Sequence, residues 1–116
     1  MPSLELNLSK KITKEQKKVL ADFLSANVVM ISGKTQDALM TVIRDDCYLQ
    51  MGDAELENGA FINMNSFGAA DPAEVEAYVK KIYEILEEEL GMSPHDMYMN
   101  YTERSWWGCH GGVFTI

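Results

Sequence analysis

The sequence has little cysteine, few cations and no long apolar stretch. Its two cysteines, Cys47 and Cys109, lie far apart without a C-x-x-C pair, which excludes a disulfide framework. No segment approaches the roughly eighteen apolar residues that a membrane-spanning helix needs. Ten Lys and Arg residues stand against 18 Asp and Glu residues, for a net charge of −8. This balance argues against a nucleic-acid partner, because such binding depends on neutralising phosphates.

Metal ligands and targeting signals are also scarce. The soft ligands are Cys47, His95, Cys109 and His110, and they show no metal-site spacing, so no metal is predicted. The first twenty residues carry Glu5 and a lysine cluster where a signal peptide would need an apolar run. We therefore expect a cytoplasmic protein, although release by an unconventional route would leave no trace in the sequence.

The first half of the chain predicts a strand, a helix and a second strand. Residues 3–8 alternate apolar and polar, as in a half-buried strand. Thr13 and Gln16 have the spacing of a capping box that begins a helix, and Gly33 is predicted to follow its last turn. The nearly continuous apolar run at 38–43 predicts a strand covered on both faces.

The second half repeats this pattern after an acidic, irregular stretch at 44–58. Residues 60–67 alternate again. Asp71 is predicted as the N-cap of a second helix, with Pro72 in its first position and Gly91 at its end. The last segments are predicted as one long strand, residues 95–101, and short pieces of strand at 106–116.

The two halves therefore read as a duplicated β-α-β unit within a single domain, residues 1–116, with repeats at about 2–45 and 60–102. Thr13 and Asp71 lie 58 positions apart, and so do the two closing glycines. The predicted fold is α+β: two helices on one face of a four-stranded mixed sheet, with short extra strands at the subunit edges. The other face would be bare, and we expect a partner subunit to bury it, which predicts an oligomer.

Pro2 is the first candidate for chemistry. Removal of Met1 would leave a secondary amine, and burial or a nearby cation would lower its pKa towards the range of a working base. On this feature alone, an ordinary tolerated second residue is the simpler interpretation. Lys34 alone would be interpreted as a lysine that stabilises the C-terminal end of the first helix through its dipole. Tyr98 and Asn100 lie on one face of a predicted strand and could be routine strand residues.

Several short segments in a fixed order change this interpretation: Met1-Pro2, Ser32-Gly33-Lys34, Asn65-Ser66-Phe67-Gly68, residues 93–101, and Trp107-Gly108 followed by Phe114. Over nearly the whole chain, this order resembles the macrophage migration inhibitory factor family of the tautomerase superfamily. An apparent short insertion lies around residues 52–58. The resemblance implies a homotrimer whose sheets enclose a central solvent channel.

The resemblance also implies roles for individual residues. Pro2 would be the catalytic base, Lys34 would bind a carboxylate or enolate oxygen, and the backbone N–H of Phe67 would face the pocket. Tyr98 and Asn100 would come from the neighbouring subunit. The implied activity is keto–enol tautomerisation of small α-keto acids such as phenylpyruvate, without a cofactor. The alternative is a cytokine-like trimer that binds a receptor protein and has a weak or vestigial pocket.

The chain departs from the mammalian cytokine of this family in its pocket wall. Trp107 and Cys109 flank Gly108 where that cytokine has valine before the glycine and tryptophan after it. Trp107 is the predicted aromatic wall, and Phe67 is bulkier than the usual isoleucine. These differences leave the substrate preference open. The thiol pair of the cytokine is missing from residues 59–62, so no thiol oxidoreductase activity is implied.

Overall fold

The computed structural model describes residues 1–116 and has two helices packed on a four-stranded sheet. The elements are β1 (Pro2–Leu8), α1 (Lys14–Asn27), β2 (Met40–Arg44), β3 (Gln50–Met51), β4 (Ala54–Glu55), β5 (Ala60–Phe67), α2 (Pro72–Leu90), β6 (Met97–Arg104), β7 (Trp106–Cys109) and β8 (Gly112–Thr115). The strand order in the main sheet is β2-β1-β5-β6. No helix is long and apolar enough to cross a lipid bilayer.

Strand directions confirm the duplicated plan. Strand β1 pairs with β2 in parallel, and β5 pairs with β6 in parallel, as the right-handed crossover of each β-α-β unit requires. The two units meet through the antiparallel pair β1–β5, in which Pro2 lies opposite Ser66. Two short hairpins, β3–β4 and β7–β8, are additional to the main sheet. The predicted mixed sheet with short extra strands is therefore confirmed.

Local signals account for three of the four helix ends. The Thr13 hydroxyl accepts the N–H of Gln16, and the Gln16 side chain accepts the N–H of Thr13, which completes the capping box. The Asp71 carboxylate accepts the N–H of Ala73 at 2.9 Å. Gly91 ends α2 at φ +63°, a left-handed conformation that a residue without Cβ adopts readily.

The predicted end of α1 at Gly33 is wrong. The helix ends at Asn27 and continues as a 3₁₀ turn, Val28–Met30. Val28 and Ile31 are fully buried, so the apolar spacing continues past the point where α-helical hydrogen bonding stops. Gly33, at φ +86°, instead forms the turn that leads towards β2.

The prediction of a doubly covered strand at 38–43 is also wrong. A 3₁₀ turn occupies Gln36–Ala38, and β2 is an edge strand whose first residue, Met40, is 68% exposed. The last long strand begins at Met97, because Pro94–Asp96 form another 3₁₀ turn. The apolar run of β2 therefore lacks the second covering layer that its composition suggested.

The two faces of the sheet differ in chemistry. One face packs against the helices through fully buried side chains, including Leu6, Ile62, Leu24, Tyr78 and Ile82. The other face is polar and carries hydrogen bonds between neighbouring strands: Asn100 to Asn63 at 2.7 Å, Arg104 to Asn65 at 2.9 Å and Arg44 to Asn7 at 3.3 Å. Such a face can remain hydrated. The bareness of this face therefore does not by itself require a partner subunit to bury it.

Candidate active site

A groove of about 750 Å³ opens at the start of β1. Pro2 lies in this groove, and the β7–β8 hairpin forms one wall with Trp107, Cys109 and His110. The 3₁₀ turn before β2 and Met40 form another part of the lining. Two residues singled out in the sequence, Pro2 and Trp107, are thus brought together, although 105 positions separate them in the chain.

Positive charge is disfavoured at the amino end of β1. The pKa of the Met1 amine is lowered, first by burial and then by the nearby Lys34, while Cys109 acts in the opposite direction. With Met1 attached, the Pro2 nitrogen is an amide and cannot accept a proton. Removal of Met1 would expose the Pro2 nitrogen one residue further along β1, in the same groove.

Lys34 is held beside this end of the sheet. Its backbone N–H donates to the Ile31 carbonyl at 3.0 Å, and its ammonium donates to the Phe67 carbonyl at 3.2 Å. Burial lowers the pKa of Lys34, and Glu103 opposes that shift. An ammonium has three donors, so two remain available. Because α1 ends at Asn27, Lys34 lies well beyond the last turn, and the helix-dipole interpretation of this residue is wrong.

The Phe67 backbone faces the same region. Its N–H donates to the Met1 carbonyl at 3.1 Å, which extends the β1–β5 pairing by one hydrogen bond. The carbonyl of Phe67 meanwhile accepts from Lys34. The Met1 carbonyl oxygen therefore accepts the Phe67 N–H at a position next to Pro2. Loss of Met1 would leave the Phe67 donor unpaired.

Tyr98 and Asn100 do not lie near Pro2 within one chain. Pro2 pairs with Ser66, whereas Tyr98 pairs with Phe61, five positions away along β5, or about 16 Å. Tyr98 is 63% exposed and lines a second cavity of about 480 Å³ under the β3–β4 hairpin. Both predicted residues share the polar face, as their spacing indicated.

Sequence reasoning missed other parts of this region. Asp37 lines the groove together with Cys109, which was considered for the pocket wall, and His110, which was considered only as a metal ligand. The Glu103 carboxylate acts on Lys34. Glu103 was missed because the predicted strand stopped at Tyr101, two positions before it. No group of three or more His, Cys, Asp or Glu side chains is placed to hold a metal ion.

The chain matches a model of a known protein family. A family model described as "Macrophage migration inhibitory factor (MIF)" matches residues 1–115. The chain belongs to the MIF family. A search of curated proteins found no match.

Three solved structures illustrate the similarity to the MIF and tautomerase fold. The Leishmania major MIF2 structure is 20% identical, has a TM-score of 0.89, and covers 98% of this chain and 97% of its own. The structure titled "Pt0534 inactivated by 2-oxo-3-pentynoate" is 13% identical, with a TM-score of 0.79 and coverages of 97% and 95%. A fused 4-OT asymmetric trimer is 17% identical, with a TM-score of 0.80 and coverages of 96% and 94%. At these identities the likeness concerns the fold.

Proposed function

We propose that the protein, after removal of Met1, is a cofactor-independent keto–enol tautomerase of small α-keto acids such as phenylpyruvate, with Pro2 as the general base. The observation that carries the proposal is the position of Pro2. It lies in a groove where, one residue away, burial and Lys34 both lower the pKa of the Met1 amine. An amine in such surroundings is neutral at a lower pH than usual and can accept a proton.

The chemistry follows from the groups around Pro2. The neutral amine takes a proton from the carbon next to the substrate carbonyl, and the C–H electron pair moves to form the enolate. The negative oxygen that develops is stabilised by the Lys34 ammonium and by the Phe67 N–H, which removal of Met1 frees. The proton then returns to the oxygen, which gives the enol and regenerates the amine. The isomerisation involves no net oxidation or reduction of the substrate.

A homotrimer is part of the proposal. Tyr98 and Asn100 lie far from Pro2 in their own chain, so they can reach a substrate there only from a neighbouring subunit. Large apolar side chains are exposed on edges and hairpins, where subunits could meet: Met40, Tyr48, Tyr98, Trp106, Val113 and Phe114. One solved structure of this fold is titled as a trimer. Native mass spectrometry of the processed chain is expected to show three copies.

The test compares a free with a blocked Pro2 nitrogen. Intact mass first establishes that Met1 is absent, and enol absorbance then follows phenylpyruvate turnover. Pro2→Ala, or a chain that keeps an amino-terminal extension, should lose about 10²-fold or more in kcat while remaining assembled. Removal of the extension by a protease that leaves Pro2 first should restore activity. Full activity with the nitrogen blocked would contradict the proposal.

A covalent probe provides a second, independent measurement. A protein of this fold is described as inactivated by 2-oxo-3-pentynoate, so this reagent is the natural choice. The free amine of Pro2 should add to the alkyne, and peptide mapping should find one adduct per chain, at the first residue. The blocked chain should not react. A trimer that binds a receptor but neither turns over keto acids nor takes up the probe would favour the cytokine-like alternative.

A further inference from the structure

Glu103 lies in the same cross-strand row as Pro2. In the sheet, Pro2 pairs with Ser66, and Ser66 pairs with Glu103, so the three residues are consecutive across β1, β5 and β6. Ser66 is fully buried. The middle residue of this row is therefore shielded from solvent, whereas Glu103, at its end, is exposed.

Two donors from different elements fix the Glu103 carboxylate. Its Oε2 accepts the N–H of Ala70 at 2.7 Å and the hydroxyl of Tyr101 at 2.9 Å. Burial, followed by the bond to Glu103, raises the pKa of Tyr101 to about 12, so its hydroxyl remains a donor at neutral pH. These bonds join β6 to the loop between β5 and α2. The carboxylate thus has a defined position although Glu103 is at the surface.

The loop that Glu103 fixes also holds Lys34. Phe67, at its start, accepts the Lys34 ammonium at 3.2 Å, and Gly68 donates to the Arg104 carbonyl at 2.9 Å. Neither hydrogen bond of Glu103 goes to Lys34, so the ammonium keeps donors for a substrate. Glu103 therefore affects Lys34 in two ways: through the loop that receives its ammonium and through its negative charge.

We propose that Glu103 is a positioning residue of the tautomerase site: it holds the Phe67–Ala70 turn, whose first carbonyl accepts the Lys34 ammonium, and it adds a fixed negative charge beside this turn. This inference depends on the proposed function for its kinetic consequences, but not for its effect on Lys34. The groove near Lys34 must bind an anion although burial there disfavours a cation. Glu103 supplies the opposing charge without occupying the groove.

Other titratable groups lie on the elements around Lys34. The chain's amine is on β1, Asp37 is on the 3₁₀ turn, and Cys109 is on β7. Glu74 on α2 is occupied by Ser32, whose N–H and hydroxyl donate to its two oxygens at 3.1 and 2.9 Å. Burial and Glu103 are the two causes that act on the pKa of Lys34, in opposite directions. Glu103 is therefore the side chain to change.

The experiment uses Glu103→Gln in the processed protein. A glutamine oxygen can still accept from Ala70 and Tyr101, so the turn is retained while the charge is lost. In a ¹³C-lysine NMR titration, the midpoint of Lys34 should move to lower pH. The alkaline limb of the pH profile of kcat/KM for phenylpyruvate should also move to lower pH. On that limb, kcat/KM should fall roughly three- to tenfold, and KM should change more than kcat.

Tyr101→Phe is the matched control. It removes one donor to Glu103 but keeps the carboxylate and its charge, so it shows what a disturbed carboxylate position does without loss of the charge. We expect it to lower the melting temperature and to leave the Lys34 midpoint and the alkaline limb unchanged. If Glu103→Gln is unstable, Glu103→Ala removes the same charge together with the acceptor, and an unchanged Lys34 midpoint in that variant also overturns the inference.

The outcomes separate this inference from the proposed function. An unchanged Lys34 midpoint in a folded Glu103→Gln protein overturns the inference, whatever the activity. A midpoint that moves equally in Tyr101→Phe, which keeps the carboxylate, overturns it too, because loss of the charge would then not be the cause. A shifted midpoint in a wild-type protein that turns over no keto acid supports the electrostatic role of Glu103 and contradicts the proposed function.

Discussion

Replacement of Lys34 by glutamine would test how the enolate is stabilised. The lysine side chain makes one hydrogen bond, from its ammonium to the Phe67 carbonyl at 3.2 Å, and it has no ion pair in its own chain. The turn around it is held by backbone bonds, including the one from Lys34 N–H to Ile31. We therefore expect Lys34→Gln to fold and assemble normally while losing the cation.

The size of the effect follows from Coulomb's law and the partial burial of Lys34. A unit charge 4 Å from an enolate oxygen contributes about 4 kcal/mol at an effective dielectric constant of 20, and about 1 kcal/mol in bulk water. Lys34 is half-buried, so a value between these limits, about 2 to 2.7 kcal/mol, is reasonable. This corresponds to a loss of roughly 30- to 100-fold in kcat/KM.

The assay is phenylpyruvate turnover, with native mass and melting temperature as controls for assembly and stability. Lys34→Arg keeps the charge in a different shape and should retain more activity than Lys34→Gln. If Lys34→Gln stays within about threefold of the wild type while blocking Pro2 abolishes turnover, Lys34 does not stabilise the enolate. The oxygen would then depend on the Phe67 N–H and on groups from a neighbouring chain.

Two further predictions concern the fold. Tyr78 is fully buried and donates to the Leu24 carbonyl at 2.8 Å, so Tyr78→Phe should lower the free energy of unfolding by about 1 kcal/mol in urea, whereas Tyr83→Phe should not. The pKa of Asp45 lies below its usual 3.8 because Lys17 and the Ile12 N–H hydrogen-bond its carboxylate. A folded-state pKa below the unfolded value stabilises the protein above about pH 3.8, and this contribution is lost as the pH falls through the folded value. Asp45→Asn should therefore have a lower melting temperature than the wild type at neutral pH and a smaller difference in acid; a constant difference across the titration would contradict this.

The sequence predicted best what short-range chemistry determines. Thr13, Asp71 and Gly91 have functions that depend on residues within one turn, and each occurs where the local pattern placed it. The end of α1 was missed because apolar spacing records burial, and Val28 and Ile31 remain buried beyond the helix. Periodicity alone cannot distinguish the last helical turn from a 3₁₀ turn packed on the same core.

The site was harder to predict because it depends on register. Alternation correctly put Tyr98 and Asn100 on one face, but the alternation of a strand carries no information about which residue lies opposite on its neighbour. The register sets Tyr98 five positions away from the row that contains Pro2. The same register puts Glu103 in that row, although nothing in the local sequence marks it. Tyr98 and Asn100, which the resemblance assigns to the pocket of a neighbouring subunit, thus lie apart from Pro2 within one chain, and the carboxylate that supports Lys34 becomes visible only once the strands are aligned. Further residues of this site are therefore to be sought first among those paired with Pro2 across neighbouring strands, and only then among its neighbours in sequence.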